Sequence, residues 1–490
     1  MKKLLTLLLA AGMVVSAANG ASAVEMKVSG SWLTSFSFTN NLYGKNALWE
    51  KAYDRSERTA LKDLKDPKSG NFNAAQRIRI NFDMVASESL SGRVQLQVAQ
   101  GQYKGVDLDS LTLKGAPGYY SWGTNGVGGP GEEVTARLAY LDWIIPSTDV
   151  LVRMGRQEVA MPSYTFNSPV LDDVIDGVMV SAPINDMVAV NLGWMRAEAL
   201  ISKWNPPYLE GYEPHSSQDL AYLGVDVTAD GFKVSPWGMV GFVGSNSVGN
   251  PVIDVNEQRE NKYLDATTHY YWAGIGGELT IFDPFKFTAD FIYGGNDADG
   301  WGEEKGWYAA LGAEMKTSFA TPFVKGWYAS GDDADSKERG ALPEISGAFD
   351  ASSIYFDANG LLSPTIDNCS ANSTWGVQAG VKDVSFIEDL THALSVTYFQ
   401  GTNNTNRLTS TTLRSELKAD KYDVNYMTTA DSAWSIDFLS SYKLYQNLTA
   451  NLLLSYLITD FDESIRPYGA DGKVKFDNAF RGTMNFTYAF

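Results

Sequence analysis

The 490-residue chain has one cysteine, Cys369, and three histidines, His215, His269 and His392. A single thiol closes no intrachain disulfide, so packing and backbone pairing must hold the fold. Past residue 23 no stretch approaches 18 uninterrupted apolar residues, and the mean hydropathy is −0.19; a helical membrane span is excluded. Positive charge is scarce: 39 Lys and Arg stand against 58 Asp and Glu, for a formal net charge of −19. That balance argues against a nucleic-acid partner. The glycine-rich stretch 126–131 lacks the Gly-Lys-Ser/Thr of a phosphate loop. Nothing places a histidine beside a serine and a carboxylate, so an enzyme, for example a barrel acting on lipid, is the weaker class. No cofactor and no dedicated metal centre are expected.

What is present begins with residues 1–23, where Lys2 and Lys3 precede an apolar run over 4–15 and the small triplet Ala21-Ser22-Ala23. This pattern predicts a secretory signal peptide cut after Ala23. The exported chain would carry −21, since Lys2 and Lys3 leave with the signal. Residues 24–490 are then a single domain.

That domain alternates with a period of two. Met26, Val28, Trp32, Phe36 and Phe38 share one parity, and Lys27, Ser29, Ser31, Ser35 and Ser37 the other. Ile78, Ile80, Phe82 and Met84 oppose Arg77, Arg79, Asn81 and Asp83, and Phe285, Phe287, Phe291 and Tyr293 oppose Lys286, Thr288 and Asp290. The last segment, FRGTMNFTYAF, sets Phe480, Met484, Phe486, Tyr488 and Phe490 against Arg481, Thr483, Asn485 and Thr487. Successive strand residues face opposite sides, so each strand has an oily face and a wet one. At about ten residues such strands are long enough to cross a bilayer at a tilt.

The connections alternate between short ones, near 87–89, 146–148, 183–185, 229–231, 282–284, 317–320, 383–391 and 445–447, and long ones. The predicted fold is all-β: a closed transmembrane antiparallel β-barrel of about eighteen strands, sixteen being the alternative. It has short periplasmic turns, long extracellular loops and both termini on the short-turn side. Closure is required because an open sheet edge leaves unpaired N–H and C=O groups in hydrocarbon. Trp32, Tyr140, Trp143, Trp194, Tyr271, Trp307 and Trp434 suit interfacial girdles. The expected location is the outer membrane of a Gram-negative cell.

With the apolar parity outward, Lys27, Arg77, Arg79, Arg93, Arg137, Arg153 and Arg481 point into the lumen, as do Asp226, Glu278, Asp290, Glu314 and Asp437. One wall is therefore expected to be basic. The acidic residues Asp332, Asp333, Asp335 and Glu338, and Asp297 with Asp299, lack the complete calcium-loop pattern and are read as solvated loops.

Residues 151–183 contain Gly155-Arg156-Gln157, then about seventeen residues without alternation, then Asp176-Gly177-Val178-Met179-Val180. This resembles the trimeric general porins of Gram-negative outer membranes, and the whole chain looks most like the homotrimeric porins of sulfate-reducing bacteria. The resemblance implies a third long loop folded into the lumen, carrying Glu158, Asp172 and Asp173, with Asp176 beside it. It also implies a homotrimer with the early strands at the interface. Phe490 with Tyr488 resembles the C-terminal signature read by barrel-assembly machinery. Arg77, Arg79, Arg93, Arg137 and Arg153 opposite Glu158, Asp172 and Asp173 would form a charged constriction. The expected function is a water-filled channel for passive diffusion of small hydrophilic solutes and ions. The alternative is a substrate-specific channel for small anions or organic acids. Contacts with outer-membrane lipid and lipopolysaccharide follow from the location.

Overall fold

The structure is a computed structural model that describes residues 24–41, 70–98, 120–121, 134–199, 217–244, 268–298, 303–334, 338–356, 370–371, 373–409, 426–462, 464–465 and 478–490. The signal segment 1–23 lies outside them. The strands are β1 (Glu25–Asn40), β2 (Gly70–Ser87), β3 (Leu90–Val98), the two-residue β4 (Tyr120–Ser121), β5 (Val134–Ile144), β6 (Leu151–Ala160), β7 (Asp172–Pro183), β8 (Val188–Ala199), β9 (Ser217–Ala229), β10 (Phe232–Val243), β11 (Thr268–Leu279), β12 (Phe285–Asn296), β13 (Lys305–Met315), β14 (Thr321–Ala329), β15 (Thr374–Ile387), β16 (Leu390–Gly401), β17 (Ser432–Tyr445), β18 (Leu448–Asp460) and β19 (Ala479–Ala489). Apart from β4, eighteen long strands each pair antiparallel with their neighbours in sequence, and β1 pairs with β19. The sheet is a closed eighteen-strand antiparallel barrel.

Alternation sets the facing. On β12, Phe285, Phe287, Phe291 and Tyr293 are exposed on the outside, while Thr288, Asp290 and Ile292 are buried within. Leu452, Leu454 and Tyr456 on β18 are likewise exposed outward. An isolated strand would gain nothing from such an outer face in water; in a bilayer it meets hydrocarbon. Eight short turns close the hairpins, helped by left-handed residues at Ser147, Gly231 and Asp389. The connection expected over 383–391 is shorter, since β15 runs to Ile387 through two register shifts and β16 starts at Leu390. Those shifts break the alternation and hide the strand end.

The seam is tight. Ser31 to Asn40 pair with Ala489 back to Phe480, and Gly30 exchanges both backbone hydrogen bonds with Phe490. A Cβ at Gly30 would stand 2.4 Å from the Arg79 carbonyl oxygen and 2.6 Å from the Phe490 ring, so the ring closes over a position that only glycine leaves open.

The apolar core sits inside the barrel, against β7–β19, and not beneath a second layer. It joins inward wall residues Trp237, Trp272, Tyr308, Trp327 and Phe399 to Phe166, Leu171, Phe349, Tyr355 and Phe356, which lie on two segments folded into the lumen. Burying each such ring contributes about 1.5–3 kcal/mol.

Candidate functional site

The first inward segment, 161–171, joins β6 to β7 and crosses the lumen to the far wall. It is the third long connection, folded inward as the general-porin resemblance implied. Glu158, Asp172 and Asp173, expected on the loop, lie instead at the ends of β6 and β7, because the strands pair on as far as Ala160 and Asp172. Its tip is held by Asp290 of β12, whose two carboxylate oxygens each accept a backbone N–H, from Tyr164 and Thr165, at 2.8 Å. Thr165 also bonds Thr288 at 3.0 Å, and the Lys325 ammonium donates to the Thr165 carbonyl at 2.7 Å while lying 5.0 Å from the centre of the Phe166 ring. Tyr164 bonds Ser235, which donates to Asp226 at 2.6 Å. Asp290 faces inward as parity requires, and its task is to anchor a loop.

The second inward segment, within 338–356 of the β14–β15 connection, is one that alternation does not reveal. Leu171 and Ser346 form a parallel bridge, and the amides of Ile345, Ser346 and Ala348 donate to Val170 and Ser168 carbonyls at 3.0–3.1 Å. Ser346 donates to Asp173 at 2.7 Å. On its other side the segment hangs from the wall: Gln378 and Thr397 both donate to the Ala351 carbonyl at 2.8 Å, Ser352 bonds Ser435 at 3.0 Å, and Arg481 donates to the Ser353 carbonyl. A signal for it exists in the sequence. Phe349, Ile354, Tyr355 and Phe356 are a greasy run in a long connection, and such a run needs a covered place.

Because both segments lean on β7–β19, the wall of β2–β6 is left facing them. Arg79 lies within electrostatic reach of Arg77, Arg137 and Glu158. Its Nε donates to Gln97 at 2.5 Å. Arg137 donates to Gln95 at 3.0 Å and to Glu158 at 2.5 Å. Asp172 has Asp173, Glu158 and Asp350 as its charged neighbours. Arg77, Arg79, Arg137, Glu158, Asp172 and Asp173 therefore gather at one level, with Asp350 added by the second segment.

Arg93 and Arg153 stand apart from that group, nearer the short turns. Each is held by an aspartate of the adjacent strand: Arg93 by Asp83 at 2.6 and 3.1 Å, Arg153 by Asp142 at 2.7 and 2.8 Å. Counting inward arginines without pairing them with inward aspartates overstates the charge of this wall. Tyr140, expected in a girdle, faces the lumen instead, with Arg153 4.1 Å from its ring centre. The register shift between Gln95 and Leu96, opposite 136–138, moves it to the inner parity. Asp176 is also displaced from its expected place beside the loop. It faces outward, paired with Arg156 at 3.1 Å.

Asp350 is exposed although Phe349 and Ala351 on either side are fully buried, so its carboxylate points into the open passage. It accepts the Asn167 amide at 3.2 Å. Enclosure by the barrel raises its pKa above the ordinary aspartate value, with Asn167 and Lys325 acting in the opposite direction.

Elsewhere Glu278 pairs with Lys286 at 2.6 Å and Lys233 at 3.3 Å, and Glu314 with Lys382 at 2.8 Å, while Asp226 and Asp437 accept from neutral side chains, among them Asn191 and Ser435. Asp332 is not solvated as expected of its loop. It is buried, accepting from Gly340 at 2.8 Å and Tyr426 at 2.9 Å, because it ties the β14–β15 connection to the one after β16. Asp297 pairs with His269 at 2.7 Å. Asp299 and Asp335 lie outside the described residues. Among the described residues no group of three or more His, Cys, Asp or Glu side chains is gathered to hold a metal ion.

No protein-family model matches the chain, and no curated protein matches its sequence. Solved structures match its fold. Pseudomonas aeruginosa OpdQ superposes with a TM-score of 0.50 at 10% identity, covering 95% of this chain and 98% of its own. Pseudomonas aeruginosa OccK2 (OpdF) gives 0.51 at 9% identity, covering 95% and 98%. The same protein in complex with glucuronate gives 0.50 at 10% identity, with the same coverage. At this identity the likeness is one of architecture, and it is enough to say that the chain folds as an outer-membrane porin barrel.

Proposed function

We propose that the chain is an outer-membrane channel through which small hydrophilic solutes diffuse, and that small anions such as organic acids are favoured at its narrowest level. The observation that carries this is the clustering of Arg77, Arg79 and Arg137 on the β2–β6 wall, where Glu158 of β6 pairs with Arg137, with Asp172, Asp173 and Asp350 nearby. A carboxylate passing there meets guanidinium groups that bind it in a planar, directed way. The neighbouring acids orient water and a solute's hydroxyls, and limit how tightly the anion is held. The glucuronate bound to OccK2 is a solute of this kind, and it supports a specific channel at least as well as a general one. The barrel performs no chemistry in this reading; it replaces hydrocarbon with a hydrated, charged path.

A homotrimer is the assembly implied by the porin resemblance, and Phe490 with Tyr488 is the segment offered to the assembly machinery. Planar-bilayer recording of the purified protein tests both function and assembly. Conductance steps in groups of three are expected, with a reversal potential in a salt gradient that favours the anion and with current blocked by millimolar glucuronate. A closed bilayer, or a strong cation preference with no effect of glucuronate, would sink the reading.

A further inference from the structure

The outer face of the barrel changes character abruptly at one depth. Cα pairing from β6 to β11 defines a row that reads Met154, Val178, Trp194, Ala221, Val240, Tyr271. The next outward row toward the long loops reads Arg156, Asp176, Arg196, Asp219, Phe242, His269. Both rows share the outward parity, so on β6–β9 the surface passes from apolar to fully ionised within two residues, roughly 7 Å of strand. On β13–β17 the outward face at that end carries Trp307, Tyr328, Trp375, Tyr398 and Trp434 instead, three of their ring contacts lying at 4.8–5.6 Å. The charged row thus replaces an aromatic girdle in one sector.

Both guanidinium groups of that row pair with an aspartate, and that of Arg196 is held in a fixed plane. Arg196 binds Asp219 through Nε and Nη2, both at 2.9 Å, and lies 5.5 Å from the centre of the Trp194 ring. Arg156 reaches Asp176 through Nη1 at 3.1 Å. Both side chains are about two-fifths exposed, and each keeps N–H donors beyond those its aspartate takes. The aspartates leave the row close to neutral. Its attraction for an anion is therefore short-ranged and directional, and suits an anion delivered to this depth by its own acyl chains.

We propose that Arg156 and Arg196 bind the phosphate of an outer-leaflet lipid headgroup, with Trp194 against the chain below it. The proposal rests on the barrel's place in the membrane and not on what passes through it. The test is lipid retention by the purified full chain, measured by native mass spectrometry after exposure to bisphosphorylated lipid A, to the same lipid without phosphates, and to inorganic phosphate. The phosphorylated lipid should be retained and the dephosphorylated one lost, with millimolar inorganic phosphate a poor competitor. The double variant Arg156→Gln/Arg196→Gln should retain about thirtyfold less, as expected for two basic groups at a membrane surface. Its unchanged single-channel conductance would report that the barrel is intact. Equal retention of both lipids, or an unaffected double variant, overturns the proposal. So does displacement by inorganic phosphate, which would make the row a general anion site. A double variant that changes oligomeric state while keeping its lipid would overturn it too, by assigning the row to a protein contact.

Discussion

The two sides of the lumen obey one backbone rule and reach opposite ends. On β2–β6 the inward parity carries Arg77, Arg79, Asn81, Asp83, Arg93, Gln95 and Gln97, water-facing groups linked sideways by hydrogen bonds. On β10–β16 the same parity carries Trp237, Trp272, Ile292, Tyr308, Trp327 and Phe399, which form an apolar core, and nearer the short turns the ion pairs of Glu278 with Lys286 and Glu314 with Lys382. The difference lies in what comes to meet each wall. Segments 161–171 and 338–356 bring Phe166, Phe349, Tyr355 and Phe356 to the second wall and leave the first to the passage. This barrel interior is therefore open on one side and a protein core on the other, and in the proposed function selectivity belongs to the side that stays wet.

Disturbing the packed side should have the largest effect. Phe349→Ala removes a fully buried ring in contact with Phe166, Tyr308, Trp327 and Phe356, and should cost about 3–5 kcal/mol. Trp327 fluorescence during denaturant unfolding would read it, and an unshifted midpoint would mean the two segments do not pack as one unit. Asp290→Ala strips the loop tip of its anchor and should cost about 1–3 kcal/mol. Because the tip is then free to leave the passage, single-channel conductance should rise and become noisier; unchanged current would show that the tip is held by other contacts.

The wet side should respond in selectivity and hardly in stability. Arg79→Gln with Arg137→Gln is expected to move the anion-to-cation permeability ratio toward cations by about two- to five-fold, as for one or two charges acting over roughly 8 Å. A fixed reversal potential would remove these arginines from the constriction. Asp350→Asn should move the ratio the other way, by about two-fold on the same estimate. The raised pKa of Asp350 means it loses its charge at a higher pH than an ordinary aspartate. Acidification should therefore push the native channel toward anions early, and Asp350→Asn should lack that component. Identical pH profiles would contradict its place in the passage. Smallest of all, Leu311→Ala on the outer face, where the side chain is 68% exposed to the bilayer, should change the unfolding free energy by less than about 0.5 kcal/mol. A large loss there would mean that this face is covered by protein.

Much of the barrel is legible in the sequence. Strand count, hairpin turns, closure through Phe490 and the outward parity of Ile80, Phe291 or Leu452 all come from period-two patterning, because a strand displays its two faces in its own residues. The arginines at 77, 79 and 137 are readable for the same reason. Leu453 and Leu457 look anomalous on a lumen parity and are buried beneath protein. Tyr140 is misplaced by parity alone because one register shift reverses the facing of every later residue in its strand.

Local patterning dictates an inside-out cylinder: which side chains meet hydrocarbon, which meet the hollow, and that the ends must join. Packing and register in three dimensions select which part of the hollow is filled, make Asp290 the anchor of a loop, neutralise Arg93 and Arg153 with Asp83 and Asp142, and bring Asp350 to the passage from residues far along the chain. The reason is one of range. Facing is a local property repeated every two residues, whereas the Arg93–Asp83 and Arg153–Asp142 pairs depend on hairpin register, and filling depends on contacts between segments more than a hundred residues apart, such as Asn167 with Asp350, whose meeting no local pattern encodes.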